Sequence, residues 1–264
     1  MGAETVRVCT YNVRRDVDED GRFAWDGRRE VVASTLRFHR PDIVGLQEPL
    51  DEQYDDLRGA LPAYEWVGQP RYGGEEGEYC PVGYRAERFE RVAGDTFWLS
   101  ETPGETGSVG WDATYPRVAT WVRLHDRWTG ETVTYCNTHL DHEGPRARVE
   151  AARLLVDRLG DLREGGPAVV AGDCNATPDE KPYAVLAGEG GNESPLSDAR
   201  TASPHPPHGP ATTRTDYESL RPDRRIDHVF VVDCDVAHYG VAADIAADGS
   251  YPSDHLPVVV DLAV

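Results

Sequence analysis

Lysine is almost missing from this 264-residue chain: Lys181 is its one example, so the other 26 of the 27 basic residues are arginine. Acidic residues number 47, which leaves a formal charge of -20. An acid-rich, lysine-poor surface suits high salt, where self-repulsion is screened and carboxylates hold water, and it points to a halophilic microbial source. The same balance argues against a broad basic stripe of the kind that grips duplex nucleic acid through its phosphates. It leaves room for a local group of arginines masked in the total. Cysteine is scarce too. Cys9, Cys80, Cys136, Cys174 and Cys234 are odd in number, scattered and never spaced C-x-x-C. That pattern argues against a disulfide framework or zinc knuckle and reads as buried free thiols in a reducing compartment. No apolar run approaches the length of about 18 residues that a membrane span needs, and Met1 to Thr5 form no basic apolar leader. We therefore expect a soluble, cytoplasmic protein without membrane contact. With no linker composition and no internal repeat, residues 1–264 read as one domain.

What the chain does have is a series of short β-branched runs, each ending in a polar residue able to do chemistry. Pro167-Ala168-Val169-Val170-Ala171 leads into Gly172-Asp173-Cys174-Asn175. Side chains alternate along a strand, so Asp173 and Asn175 leave its end on one side. An Asp there can position or deprotonate a water, and an Asn can donate to a phosphate oxygen without ionising. By itself the segment reads equally well as an Asx turn. Val6-Arg7-Val8-Cys9-Thr10-Tyr11-Asn12 ends in Asn12, with Arg14 just beyond. Ile43-Val44-Gly45-Leu46-Gln47-Glu48 ends in an acid whose economical partner is a hard divalent cation such as Mg2+, which takes one or two carboxylates and keeps several waters. The spacing predicts a hairpin turning at Trp128-Thr129-Gly130, with Val133, Tyr135, Asn137 and His139 on one face of its second arm. Residues 225–232 read as a strand with Asp227 at its entry, and Asp254-His255 precede the last strand, which suits an imidazole oriented to donate toward developing charge.

Between these runs, helical spacing predicts amphipathic helices over 28–39, 51–61 and 145–159, and a short helix near 182–187 behind a capping box at Thr177-Pro178-Asp179-Glu180. A strand is expected over 79–85. Residues 188–222 read as irregular loop, with His205 and His208 solvated; His39 reads as a helix-end residue. Tyr72, Trp98 and Trp111 lie in or beside long loops as candidate walls of a substrate site, with core anchoring as the other reading.

Asn12, Glu48, His139, Asp173, Asn175, Asp227, Asp254 and His255 thus all fall at predicted strand ends. Random turn polarity would rarely choose only acids, amides and histidines. The set T-Y-N, L-Q-E, N-T-H-L, G-D-C-N-A-T-P, R-I-D-H and S-D-H-L-P-V, in this order and over nearly the full length, resembles the endonuclease/exonuclease/phosphatase superfamily with the DNase I-like fold. The resemblance implies a four-layer α/β sandwich, two mixed β-sheets packed face to face with helices outside. It implies a metal-dependent phosphoester hydrolase using Mg2+ or Mn2+, with Glu48 as the direct metal ligand and Asn12 and Asp254 close to the ion. Asp173 would then handle the attacking water, Asn175 and Arg14 would hold phosphate, Asp227 would orient His255, and His139 with His255 would stabilise the transition state. Glu78 would orient His139. His139 sets the chain apart from abasic-site repair members, and F-W-L-S-E-T-P and G-W-D-A are shared with microbial members of ill-defined substrate. The expected substrate is a small or single-stranded phosphoester, and the protein a monomer, with a nuclease acting on DNA or RNA as the alternative.

Two rival readings compete. Asn137-Thr138-His139-Leu140-Asp141-His142 is near the H-x-H-x-D-H zinc motif of metallo-β-lactamase-like hydrolases, but the first histidine is Asn and the reading leaves Glu48, Asn175 and His255 without jobs. A non-catalytic binding module on the same fold is expected to lack the metal acid or the water-positioning Asp, and both Glu48 and Asp173 are present.

Overall fold

The computed structural model describes residues 4–264. Met1 to Ala3, part of the segment on which the leader expectation rests, lie outside the described residues.

The β-branched runs form two six-stranded sheets. The first has the order β13-β14-β1-β2-β4-β3, with β1 Val6–Asn12, β2 Ile43–Gln47, β3 Tyr64–Val67, β4 Val82–Arg85, β13 Asp235–Val241 and β14 Val258–Ala263. The second has the order β5-β6-β7-β8-β12-β9, with β5 Phe89–Trp98, β6 Val118–Asp126, β7 Thr132–His139, β8 Ala168–Asp173, β9 Ser197–Asp198 and β12 Asp227–Val232. Each sheet is mixed: β1 and β2 are parallel, as are β7 and β8, while the other pairs are antiparallel.

Alternation then makes the layers. Val6 and Val8 face Val133, Tyr135, Val169 and Ala171 across the space between the sheets, where a shared core forms. The opposite faces are covered by helices. Cys9, Tyr11, Val44 and Leu46 pack on α1 (Trp25–His39) and α2 (Asp51–Ala60). Ala119, Cys136, Val170 and Phe230 pack on α3 (Pro145–Leu162) and α4 (Lys181–Leu186). The expected four-layer α/β sandwich is therefore the observed fold. Among the described residues no helix is long and apolar enough to cross a membrane. All five thiols are unpaired, four of them buried and Cys234 partly so.

Several local readings need correction. Residues 188–222 hold β9, a one-turn helix α5 (Ala199–Ala202) and a small hairpin of β10 (Arg214–Thr215) and β11 (Leu220–Arg221), pieces too short to show a period. β3, β13 and most of β5 escaped the pattern; a bulge between Arg91 and Ala93 breaks the alternation of β5. The strand expected over 79–85 starts only at Val82, because Pro81 has no N–H for the ladder. At the proposed capping box, the Glu180 carboxylate does accept from the Thr177 N–H at 2.8 Å, but it closes a turn ahead of α4, which begins at Lys181.

Toward one end of the sandwich the core turns polar. Gln47 Nε2 donates to Thr10 Oγ1 at 2.9 Å and, across the sheets, to Asn137 Oδ1 at 2.6 Å. Asn137 Nδ2 in turn donates to the carbonyls of Leu46 and Pro81. Gly45 makes this bridge possible, since a Cβ there would sit 2.5 Å from Asn137 Oδ1.

Candidate active site

Strand register builds the site on this polar floor. His139 on β7, Asp173 on β8 and Asp227 on β12 are direct neighbours across three adjacent strands. Asn12, at the end of β1, pairs with Gln47, the residue before Glu48. Gly172 lets β8 press against β7 just before Asp173: its φ is +151°, and a Cβ would lie 1.9 Å from the Thr138 carbonyl oxygen. Three residues past strand ends, Arg14 (φ 59°), Glu48 (φ 73°) and Asn175 (φ 45°), adopt left-handed backbone that side chains normally avoid. The turns re-aim all three side chains into a cavity of about 260 Å³.

Asn12 is the hinge between the sheets, its Nδ2 donating to Glu48 Oε1 at 2.9 Å and to Asp173 Oδ2 at 3.0 Å. Glu48 Oε2 accepts from the Arg15 N–H at 3.0 Å, and Asp173 Oδ1 from the Asn175 N–H at 2.9 Å. His255 is pinned by Asp227, whose oxygens lie 2.8 and 3.1 Å from Nδ1, and its Nε2 lies 3.6 Å from Asp173 Oδ2. His139 Nε2 lies 3.4 Å from the same Asp173 oxygen and 3.0 Å from Asn175 Nδ2.

Charge states follow from burial and neighbours. Burial works against ionisation of Glu48, yet hydrogen bonds from the Asn12 amide and the Arg15 N–H, together with the His255 ring, hold its carboxyl below the usual carboxylate value. Burial pushes Asp173 up to about 6, with His255 opposing and Asp227 adding to the rise. Burial opposes charge on His255, but Asp227 and Asp173 outweigh it and raise the imidazole to about 9. Burial and then the Arg117 cation push His139 well below the usual histidine value, so its ring is neutral. The two histidines of one cavity thus carry different charge.

All of the expected residues except Asn12 and Asp227 line this cavity; Asn12 is buried beneath Glu48 and Asp173, and Asp227 stands directly behind His255. Two have unexpected partners. Arg14 is held by Asp20 at 3.0 and 3.2 Å, and Asp254 Oδ2 lies 2.9 Å from Arg214 while Oδ1 is buried without a partner. Glu78 does not touch His139. It pairs with Arg71 at 3.0 Å, and Arg117 comes between: Nη1 lies 3.3 Å from His139 Nδ1, Nη2 lies 2.8 Å from His142 Nδ1, and Nε donates to Asp141 Oδ1 at 3.2 Å. A guanidinium only donates, so His139 Nδ1 accepts and the ring proton sits on Nε2, facing the cavity. Of the aromatic candidates none lines the cavity. Trp98 is buried and donates from Nε1 to the Arg71 carbonyl, Trp111 packs on the α3 side, and Tyr72 is exposed. Tyr115, under the Arg71 guanidinium at 4.7 Å, forms the wall instead.

Sequence reasoning also missed the cavity's charge. Six arginines (14, 15, 71, 117, 214 and 224) line it against four carboxylates, in a chain of formal charge -20. Glu48, His139 and Asp173 each offer a ligand atom within 4.8 Å of the others, as do Asp173, Asp227 and His255. Residues 9–255, which carry every element of this geometry, match the endonuclease/exonuclease/phosphatase family. The chain belongs to that family. Solved structures agree. An endonuclease/exonuclease/phosphatase from Bacteroides vulgatus is 34% identical, with 98% of each chain covered and a TM-score of 0.91. A mannosyl-6-phosphatase of Bacteroides thetaiotaomicron is 33% identical, covering 98% of this family member and all 100% of that chain, with a TM-score of 0.90. The human Nocturnin catalytic domain, at 21% identity, 98% and 93% coverage and a TM-score of 0.76, shows the shared fold. No curated protein matched.

Proposed function

We propose that this protein is a divalent-metal-dependent hydrolase of small phosphoesters. The observation that carries the reading is the meeting of Glu48, Asp173, His139 and His255 in one arginine-lined cavity. The donor set fits a hard cation: two carboxylates offer oxygens side by side, and the buried Asp254 Oδ1 has no partner. Glu48, with Asn12 and Asp254 beside it, would hold Mg2+ or Mn2+, which when bound withdraws charge from a phosphoryl oxygen.

The protein's own groups account for the rest. Asp173, raised to about 6, is ionised at neutral pH and basic enough to take a proton from an attacking water. A bond forms from that water oxygen to phosphorus as the ester P–O bond breaks. The water proton passes to Asp173, and the departing alkoxide takes a proton from solvent. His139 Nε2–H and the Asn175 amide lie 3.0 Å apart on the cavity wall, the amide held by the Leu140 carbonyl at 3.0 Å, and both can donate to an anionic phosphoryl oxygen. His255, cationic and locked by Asp227, supplies a further donor.

A cavity of about 260 Å³ suits a small substrate, and the relative at 33% identity is named for its action on a mannosyl phosphate. The arginines lie inside the cavity, and the chain's strongly acidic balance favours neither a duplex nor a long strand. We take residues 1–264 as one domain acting as a monomer, and read the acidic, lysine-poor composition as salt adaptation. The test is a panel of sugar phosphates, nucleotides, oligonucleotides and plasmid, assayed with Mg2+, with Mn2+ and with EDTA in low and molar KCl. Metal-dependent release of phosphate from a small ester is the expected result. Fast plasmid nicking would make it a nuclease, and no turnover with either metal on any substrate would make it a binding module.

A further inference from the structure

Arg214 has no part in the chemistry above, yet it sits against the reacting face of the cavity. It stands on β10, and its backbone bridges directly to that of His255. The hairpin is stitched to this segment on both sides of Arg214. The Leu256 N–H donates to the Thr213 carbonyl at 2.8 Å, and the Thr215 N–H donates to the Asp254 carbonyl at 2.8 Å. Backbone pairing therefore aims the guanidinium. Its Nη1 lies 2.9 Å from Asp254 Oδ2 and makes direct contact with His255 Nε2. The other ring nitrogen of His255 is committed to Asp227. The guanidinium therefore stands on the cavity wall beside His255 Nε2, where its remaining N–H groups can meet an anionic oxygen bound against that ring.

Counting phosphoryl oxygens shows which substrate has one to spare. A diester presents two non-bridging oxygens and one negative charge. A monoester presents three terminal oxygens and, with a second pKa near 6, almost two charges at neutral pH. His139 with Asn175 would address one oxygen and His255, whose Nε2 also lies near Asp173 Oδ2, another. We propose that Arg214, anchored by Asp254, receives the third terminal oxygen and thereby selects dianionic phosphate monoesters over diesters. A diester would place a second alkoxy group there, which accepts poorly and would pull the guanidinium from the partly buried Asp254 carboxylate. Arg224, on the same wall, extends the positive field around that position.

The inference rests on the hydrolase reading, and the experiment separates the two. Wild type, Arg214→Gln and Arg214→Lys are assayed on p-nitrophenyl phosphate and on bis(p-nitrophenyl) phosphate. Binding of inorganic phosphate and of dimethyl phosphate is measured by calorimetry at pH 8 with and without Mg2+. Wild type should prefer the monoester, and Arg214→Gln should lose at least ~10-fold more kcat/KM on the monoester than on the diester. Arg214→Lys should keep part of the preference, because the charge remains without the fork. The Gln variant should lose inorganic phosphate binding while dimethyl phosphate binding changes little. Equal losses on both esters, or a wild-type preference for the diester, would overturn the role of Arg214 while leaving a hydrolase. No turnover of either ester by wild type would overturn the reading beneath it. Because wild-type preference and phosphate binding are read without any variant, a misfolded substitution cannot shelter the proposal.

Discussion

Each end of the sandwich buries arginine among acids, but only one end closes its electrostatics. Away from the cavity, Arg88 is 1% exposed and spends every guanidinium nitrogen: Nε and Nη2 donate to Asp126 Oδ2 at 3.0 and 2.6 Å, and Nη1 to Asp42 Oδ2 and the Thr5 carbonyl, both at 2.9 Å. That cluster ties the entry of β1 and β2 to the end of β6 across the two sheets. In the cavity, Arg71 Nε and Asp254 Oδ1 are buried without partners. Identical residue types thus do opposite work. Where every group is matched, the charges specify how the sheets dock; where matching is left incomplete, the remainder is available to a ligand at a cost in stability.

The sharpest way to break this contrast is Asp173→Asn. Phosphoester turnover should fall by roughly 10³-fold, as expected for loss of a proton acceptor. The metal-free protein should nevertheless melt higher at pH 8, by about 1 to 3 kcal/mol in stability. The sign follows from burial raising the carboxyl to about 6: the folded state favours its protonated form, so that contribution is complete below the ordinary carboxylate value and is lost as pH rises through 6. An amide never ionises and never incurs the loss. A lower melting temperature for Asp173→Asn would defeat the comparison.

Arg88→Met should do the reverse, costing roughly 3 to 5 kcal/mol of stability in urea melts while kcat per folded molecule stays at the wild-type value. Its partner gives a pH test. Burial opposes ionisation of Asp126, but hydrogen bonds from Arg88 and the Trp128 N–H hold it below its usual value. Stability from this pair is present above the ordinary carboxylate value and is lost as pH falls through the lower, folded one. The variant should therefore lose much of the wild type's destabilisation in acid.

A smaller effect is expected from Arg117→Lys, which keeps charge but not the fork that reaches Asp141, His139 and His142 together. Loss of the fixed His139 tautomer should lower kcat by about 10-fold with KM little changed. Smallest of all, Arg153→Ala breaks only the exposed pair with Glu150 and should move stability by less than about 0.5 kcal/mol.

What the sequence revealed follows the same division. The strand-end residues Asn12, Glu48, His139, Asp173, Asp227 and His255 were legible because a period of two assigns each a face and the end of an apolar run assigns each a depth. The arginines were not. With 26 of them in the chain, none stands out by type, and Arg71, Arg214 and Arg224 arrive from loops and a hairpin whose arms are two residues long. Arg117 was within reach: a hairpin turning at 128–130 brings the start of its first arm toward His139, and the observed register pairs Ala119 with Thr138. Glu78 was misassigned to His139 because sequence shows that a carboxylate is near, not that a guanidinium lies between. The left-handed turn at Glu48 left no sign, because Glu rarely adopts such backbone, whereas Asn175 is of a type that does.

The arginine-lined cavity inside so acidic a chain has a kinetic consequence. Most proteins that capture anions draw them in from a distance, and added electrolyte slows the encounter. Here an arriving phosphate is repelled at long range and welcomed only within the last Debye length, so electrolyte lowers the outer barrier more than it weakens the inner grip. Encounter rates of phosphate with the cavity should therefore climb with ionic strength.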